Sequence, residues 1–152
     1  MASLFVTKSV LPFMLKKKEG SIIFVQSPAA FSAFGHATAY ISARYGLHGL
    51  FESINADLYD TNIKVCEVCV SETESNYFVN NPGSIEHVPS FGKLLGKIKP
   101  GKAAQGIVNS IINGDIGTIY YPWQLDIATK MNSYIPSLVK WITIKTGTRV
   151  KV

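Results

Sequence analysis

Apolar residues recur along this chain at spacings that switch between helical and strand-like. Over residues 2–16, Leu4, Phe5, Lys8, Leu11 and Leu15 fall near one face, which predicts a helix bent at Pro12. Lys16, Lys17, Lys18 and Glu19 follow, and Gly20 reads as the helix stop. Ser21 to Gln26 is then a continuous apolar run of strand length, expected to be buried on both faces as in a parallel sheet. Residues 27–38 are small and turn-forming. The longest helix is predicted from about Ala39 to Leu58, with Leu47, Leu50, Phe51, Ile54 and Leu58 on one stripe. Ile63 to Val70 reads as a second strand. Ser71 to Pro100 is polar, contains Pro82-Gly83 and lacks periodicity, so it predicts a long loop with short helical pieces. Pro100-Gly101 opens a helix that repeats Ile107, Val108, Ile111 and Ile112 and closes at Gly114, before a short strand at Thr118–Tyr121. Helix alternating with strand predicts an α/β domain, a parallel sheet with crossover helices.

Composition narrows this picture. The 152 residues are 47% hydrophobic and 16% charged, enough apolar material for one packed domain, which argues against disorder, collagen or a disulfide scaffold. Neither an internal repeat nor a linker divides it. Residues 1–126 carry ten charges of each sign, so the whole net charge of +5 lies in residues 127–152. A uniformly basic nucleic-acid surface is therefore not expected, and no nucleic-acid partner is predicted. No apolar run reaches the roughly 18 residues of a membrane span, and no signal-peptide pattern opens the chain. Residues 123–145 instead combine Trp123, Leu125, Ile127, Met131, Ile135, Leu138, Val139, Trp141 and Ile142 with Lys130, Lys140 and Lys145, interrupted by Pro136. Such a basic, Trp-bearing stretch suits a membrane surface or, equally, a helix packed on its own domain. We therefore read a domain over 1–122 and an amphipathic tail over 123–152. Cys66 and Cys69 form a lone C-x-x-C inside a predicted strand, where they face opposite ways, and are expected to be two reduced core cysteines. His36, His48 and His87 have no ligand spacing, and no metal site is predicted.

Candidate chemistry centres on Ser27, Tyr40 and Arg44. Tyr40 and Arg44 lie one turn apart on the long helix, and Ser27 directly follows a strand end, where open α/β sheets bind ligands. A fixed cation beside a phenol favours its charged form, which makes a tyrosine a usable proton donor and acceptor. Periodicity alone does not argue for catalysis, because a Tyr and an Arg one turn apart on a helix are usually an ordinary exposed or packed pair. Glu72 and Glu74 read as a loop pair, solvated or lining a substrate entrance.

The run Gly20-Ser21-Ile22-Ile23-Phe24-Val25-Gln26-Ser27, followed by Tyr40-Ile41-Ser42-Ala43-Arg44, resembles the strand, catalytic serine and Tyr-x-x-x-Lys segment of short-chain dehydrogenases/reductases. The interval of thirteen from Ser27 to Tyr40 is that family's interval. Val6 to Met14 resembles the family's preceding helix and Lys99 to Gly114 its late helix, so the likeness covers about residues 4–122. Within the family, Phe34-Gly35-His36-Ala37-Thr38-Ala39-Tyr40 and Ser71 to Phe78 look most like 3-ketodihydrosphingosine reductases, with membrane-associated hydroxysteroid dehydrogenases close behind. The resemblance implies a Rossmann-like sheet represented by its second half only, about three strands, without the N-terminal dinucleotide-binding βαβ. It implies NADP(H)-dependent interconversion of a ketone and an alcohol on a lipid-like substrate. In these roles Tyr40 is the proton donor, Ser27 orients the substrate oxygen and Arg44 binds the nicotinamide ribose. Ser71 and Ser75 join Tyr40 and Arg44 in holding the cofactor, Ser75 at its carboxamide.

Several positions depart from the family pattern. Arg44 replaces the lysine, Val70-Ser71 the Pro-Gly after the next strand, and Ala30 a glycine; no G-x-x-x-G-x-G follows a strand. The expectation is a longer enzyme seen in part, with the isolated chain inactive, or a chain stabilised by a partner. The helices at 2–16 and 39–58 match those through which the family dimerises, so a homodimer is expected. The cytosolic face of the endoplasmic reticulum membrane is the expected location, with the cytoplasm as the alternative. The non-enzymatic alternative is a cofactor-free relative serving as an interaction module.

Overall fold

The computed structural model describes residues 2–93 and 95–147. Helix α1 (Ala2–Lys17) leads into strand β1 (Gly20–Gln26), and a short 3-10 turn at Pro28–Ala30 precedes the long helix α2 (Thr38–Asp57). Strand β2 (Ile63–Val70) is followed by the short helices α3 (Tyr77–Asn80) and α4 (Ser90–Lys93), then α5 (Pro100–Asn113), β3 (Gly117–Tyr121), α6 (Gln124–Tyr134) and α7 (Pro136–Thr146). The three strands form one parallel sheet in the order β1-β2-β3, with Gly20 opposite Ile63 and Cys66 opposite Gly117. This is the predicted α/β architecture: parallel neighbours joined by crossover helices.

Two apolar clusters lie on the two faces of the sheet. On one, Phe51 of α2 meets Ile22, Phe24, Ile63 and Val65, with Leu47, Leu50 and Ile54 packed alongside. On the other, Ala103 of α5 meets Cys66, Val68 and Val70, with Ile107, Ile119 and Tyr121 around them. The central strand is thus covered on both sides, and only Lys64 of β2 is exposed. The two cysteines are free and buried. Cys66 belongs to the α5 side, whereas Cys69 shares the parity of Ile63 and Val65 on the α2 side.

Three expectations are corrected. Strand β1 is not buried on both faces: Ser21 is exposed and Val25 is 48% exposed. It is an edge strand of the sheet, paired on one side only with β2, and its Ile23 reaches the α5 side while Ser21 and Val25 stay exposed. In α1 the predicted stripe is not the inward one, since Leu4, Phe5 and Leu15 are exposed while Thr7 is buried and Leu11 and Met14 reach the core. The helix flanks the sheet edge, and among the described residues no second layer covers its outer side. The residue that turns the chain after α1 is Lys18, at φ 59, and not Gly20. Gly20 instead begins β1 beneath Met14, where a Cβ would lie 2.7 Å from the Met14 Cγ. Gly114 does close α5, at φ 65, in the left-handed conformation that glycine adopts without strain. Over 124–146 the chain forms two helices, divided at Ile135, which precedes Pro136 and takes an extended φ of −131.

Candidate active site

The carboxyl ends of β1 and β2 gather the candidate residues. Ser27 follows β1 immediately; its Oγ accepts the Ala29 N–H at 3.3 Å and so caps the 3-10 turn. Tyr40 and Arg44 share one face of α2, as their spacing predicts, and the guanidinium carbon lies 5.0 Å from the phenol ring centroid. The cation therefore stacks over the ring, a cation–π contact. Arg44 Nη1 also donates a long 3.5 Å contact to the Val25 carbonyl, and the Arg44 carbonyl accepts from Gln26 Nε2 at 3.0 Å. Gln26 Oε1 in turn accepts the Ser27 N–H at 2.9 Å. One glutamine thereby ties both candidate residues to the strand end.

Gln26 belongs to a buried polar network that the sequence reading passed over. Its Nε2 donates to Glu67 Oε1 at 3.1 Å, and Glu67 Oε2 receives Thr118 Oγ1 at 3.3 Å and faces His48 Nδ1 at 2.8 Å. Glu67 is wholly buried at the middle of β2. A buried carboxylate is tolerated only when paired and hydrogen-bonded, and these three groups meet that need. His48 also reaches Glu52 at 3.5 Å and stacks edge-on against Phe31, at 4.8 Å between centroids. The available signal was the charge itself: Glu67 interrupts an otherwise apolar strand, which requires partners on facing elements.

Ser71, one residue past β2, is buried, and its Oγ has no hydrogen-bond partner, although its N–H donates to the Tyr121 carbonyl at 2.8 Å. Ser75 is occupied elsewhere; it is exposed, and its Oγ accepts the Tyr77 N–H at 3.3 Å at the start of α3. Residues 71–99 form a closed excursion. Thr73 bridges Ile98, the Ile98 N–H donates to the Glu72 carbonyl at 2.9 Å, and Glu72 pairs with Lys97 at 2.6 Å. Glu72 is thus a fastening of the loop base rather than a free carboxylate. His36 and His87, unrelated in sequence, stack at 4.3 Å and join this loop to the turn before α2. Burial pushes the Cys66 thiol up to about 11 and the Tyr120 phenol up to about 12, with Cys69 displaced further in the same direction. These thiols stay protonated at neutral pH and are no redox pair.

A nicotinamide cofactor can be tested against these residues. The orphaned Ser71 hydroxyl and the Arg44 guanidinium lie at the sheet's carboxyl end, where an amide and ribose hydroxyls could use them. Among the described residues, none of the glycines at positive φ (Gly83, Gly96, Gly114 and Gly117) sits in a turn that leads from the end of a strand directly into a helix. The chain's residues fit the nicotinamide end of such a cofactor; a phosphate cradle is absent among those described.

The family model "short chain dehydrogenase" matches residues 1–83. The chain belongs to that family. A Drosophila melanogaster relative, "Dehydrogenase/reductase SDR family protein 7-like", is 26% identical over 98% of this chain and 46% of its own length. The "3-ketodihydrosphingosine reductase" of Dictyostelium discoideum is 27% identical over 85% of this chain and 38% of its own. Among solved structures, a short-chain dehydrogenase from Sphingobium yanoikuyae in complex with NADPH superposes with a TM-score of 0.67 at 14% identity, over 90% of this chain and 52% of that one. The sheet is thus a Rossmann-like half-fold of this family, and the chain spans about half the length of the curated relatives it matches.

Proposed function

We propose that this chain carries the substrate and nicotinamide end of an NAD(P)(H)-dependent oxidoreductase that interconverts a ketone and an alcohol on a lipid-like substrate. The observation that carries this reading is the Tyr40–Arg44 pair, tied to the end of β1 by the bond from Gln26 to the Arg44 carbonyl, with Tyr40 thirteen residues after Ser27. When bound, the cofactor would supply the hydride. The Tyr40 hydroxyl gives its proton to the ketone oxygen and takes it back in the reverse direction. The Ser27 hydroxyl donates its O–H to that oxygen while its lone pair accepts the 3.3 Å cap bond from the Ala29 N–H. Arg44 keeps a positive charge beside the phenol and donates to ribose hydroxyls, and Ser71 Oγ gains the partner it lacks, with Ser75 reaching the carboxamide. NADPH is favoured by the Sphingobium complex and a long-chain ketone by the Dictyostelium relative.

A second reading, an interaction module without cofactor, is favoured by the guanidinium lying on the ring face and by Ser27 serving as a cap. Titration with NADPH, followed by nicotinamide fluorescence, separates the two. Arg44→Ala should weaken binding roughly ten- to hundred-fold, the range of a lost charge-assisted hydrogen bond. An unchanged titration, or a wild-type chain that leaves NADPH fluorescence unaltered, supports the module. Arg44→Lys raises turnover in the enzyme and does nothing in the module.

A further inference from the structure

We propose that the outer face of the α6–α7 pair is a docking surface for an anionic membrane interface, on which the protein lies without crossing it. Helix α6 buries Leu125, and α7 buries Val139 and Thr143. Asn132 Nδ2 donates to the Phe31 carbonyl at 2.7 Å and fastens α6 to the turn after β1. The inward side of each helix is therefore taken, and the other side is fixed outward.

That outward side carries the wrong residues for a surface meant only for water. Tyr134 is 84%, Trp123 66% and Trp141 58% exposed, with Ile127, Met131, Ile135 and Leu138 exposed beside them. At about 100° per residue, Leu138, Trp141 and Lys145 fall in one stripe opposite Val139 and Thr143. Single exposed apolar residues are ordinary; so many on two helices that pack on each other and also carry lysines are not. Trp and Tyr pair an apolar ring with a polar N–H or O–H, and lysine a long apolar stem with a charged tip, so all three settle at headgroup depth.

Charge selects the occupant. Residues 127–152 contain five basic and no acidic residues. Lys130 is paired with Asp126 at 2.7 Å, which leaves Lys140 and Lys145 on α7, with Arg149 and Lys151 following in the sequence. A second copy of so uniformly cationic a face is repelled, whereas anionic headgroups are attracted, at a Debye-length range. No described helix is long and apolar enough to span a bilayer, so contact is with the surface. This proposal does not depend on the catalytic reading.

The test uses the whole chain carrying Trp123→Phe, which leaves Trp141 as the one tryptophan. It is sedimented with phosphatidylcholine vesicles, with and without phosphatidylserine, at low and high salt. The expected result is co-sedimentation with the phosphatidylserine vesicles alone, reversed by salt, with Trp141 emission shifted to the blue and quenched by brominated lipid. Lys140→Gln with Lys145→Gln lowers the partition roughly thirty-fold. The quenching measurement needs neither lysine variant and so stands if that variant folds poorly. Absence of co-sedimentation, binding indifferent to salt and to the lysines, or a Trp141 shift that follows protein concentration without vesicles would overturn the proposal; the last would identify a second copy as the occupant.

Discussion

Glu67 shows how a single residue can fix the geometry of a site it does not enter. Its carboxylate is anchored to three elements through Gln26, His48 and Thr118, and Gln26 passes that anchorage to the Ser27 N–H and the Arg44 carbonyl. Removing one hydrogen-bond partner from a buried carboxylate leaves that group unsatisfied, at a cost of about 1–3 kcal/mol. His48→Ala should therefore lower the unfolding free energy by about 2 kcal/mol in a urea titration. Adding Glu67→Gln to it should recover about 1 kcal/mol or more, because the stranded charge is gone. A His48→Ala chain as stable as wild type would remove the network from the account. Tyr40, Arg44 and Ser27 were legible in the sequence because helical spacing and a strand end locate them. Gln26, His48 and Glu67 were not, since their contact joins residues up to 41 positions apart. Only the charge at Glu67 hinted at it.

At the scale of elements, strand and helix order were readable because period and punctuation are local properties. Which face is inward was not, because that depends on neighbours. Helix α1 presents Leu4, Phe5 and Phe13 outward, and Val25 of β1 is bare, since no further layer lies over that edge in the described residues. The central strand and β3 behave differently, and their enclosure has a measurable consequence. The Cys66 thiol is raised from 9.0 to about 11 and the Tyr120 phenol from 10.0 to about 12, chiefly by burial. The folded chain therefore holds these protons when the unfolded chain has released them. Stability is fully present below pH 9, declines through the interval from 9 to about 11 as Cys66 contributes, and continues to fall towards about 12 with Tyr120. Unfolding free energies from urea titrations across pH 8 to 11 should fall from about 9 upwards, by about 1–3 kcal/mol per pH unit, because Cys69 contributes in the same direction as Cys66. A flat profile would mean that these groups are open to water. Iodoacetamide should likewise label Cys66 and Cys69 only once denaturant opens the sheet.

For the whole molecule, a three-stranded sheet with functional groups at its carboxyl end is half of a Rossmann-like architecture, matched to relatives of which it covers 46% and 38%. Its charge is also unevenly divided, balanced over residues 1–126 and wholly positive over residues 127–152. Family membership follows from residues 1–83, whereas reaction and substrate rest on the site. The decisive measurement is NADPH-dependent reduction of a long-chain ketone by the chain supplied with a dinucleotide-binding half, and by its Tyr40→Phe form, followed at the nicotinamide absorbance. The account predicts that the wild-type form so supplied consumes NADPH and that Tyr40→Phe loses roughly 10²- to 10⁴-fold in kcat/KM, the contribution of a positioned proton donor, with its urea midpoint unchanged. A Tyr40→Phe protein that turns over at the wild-type rate would contradict it.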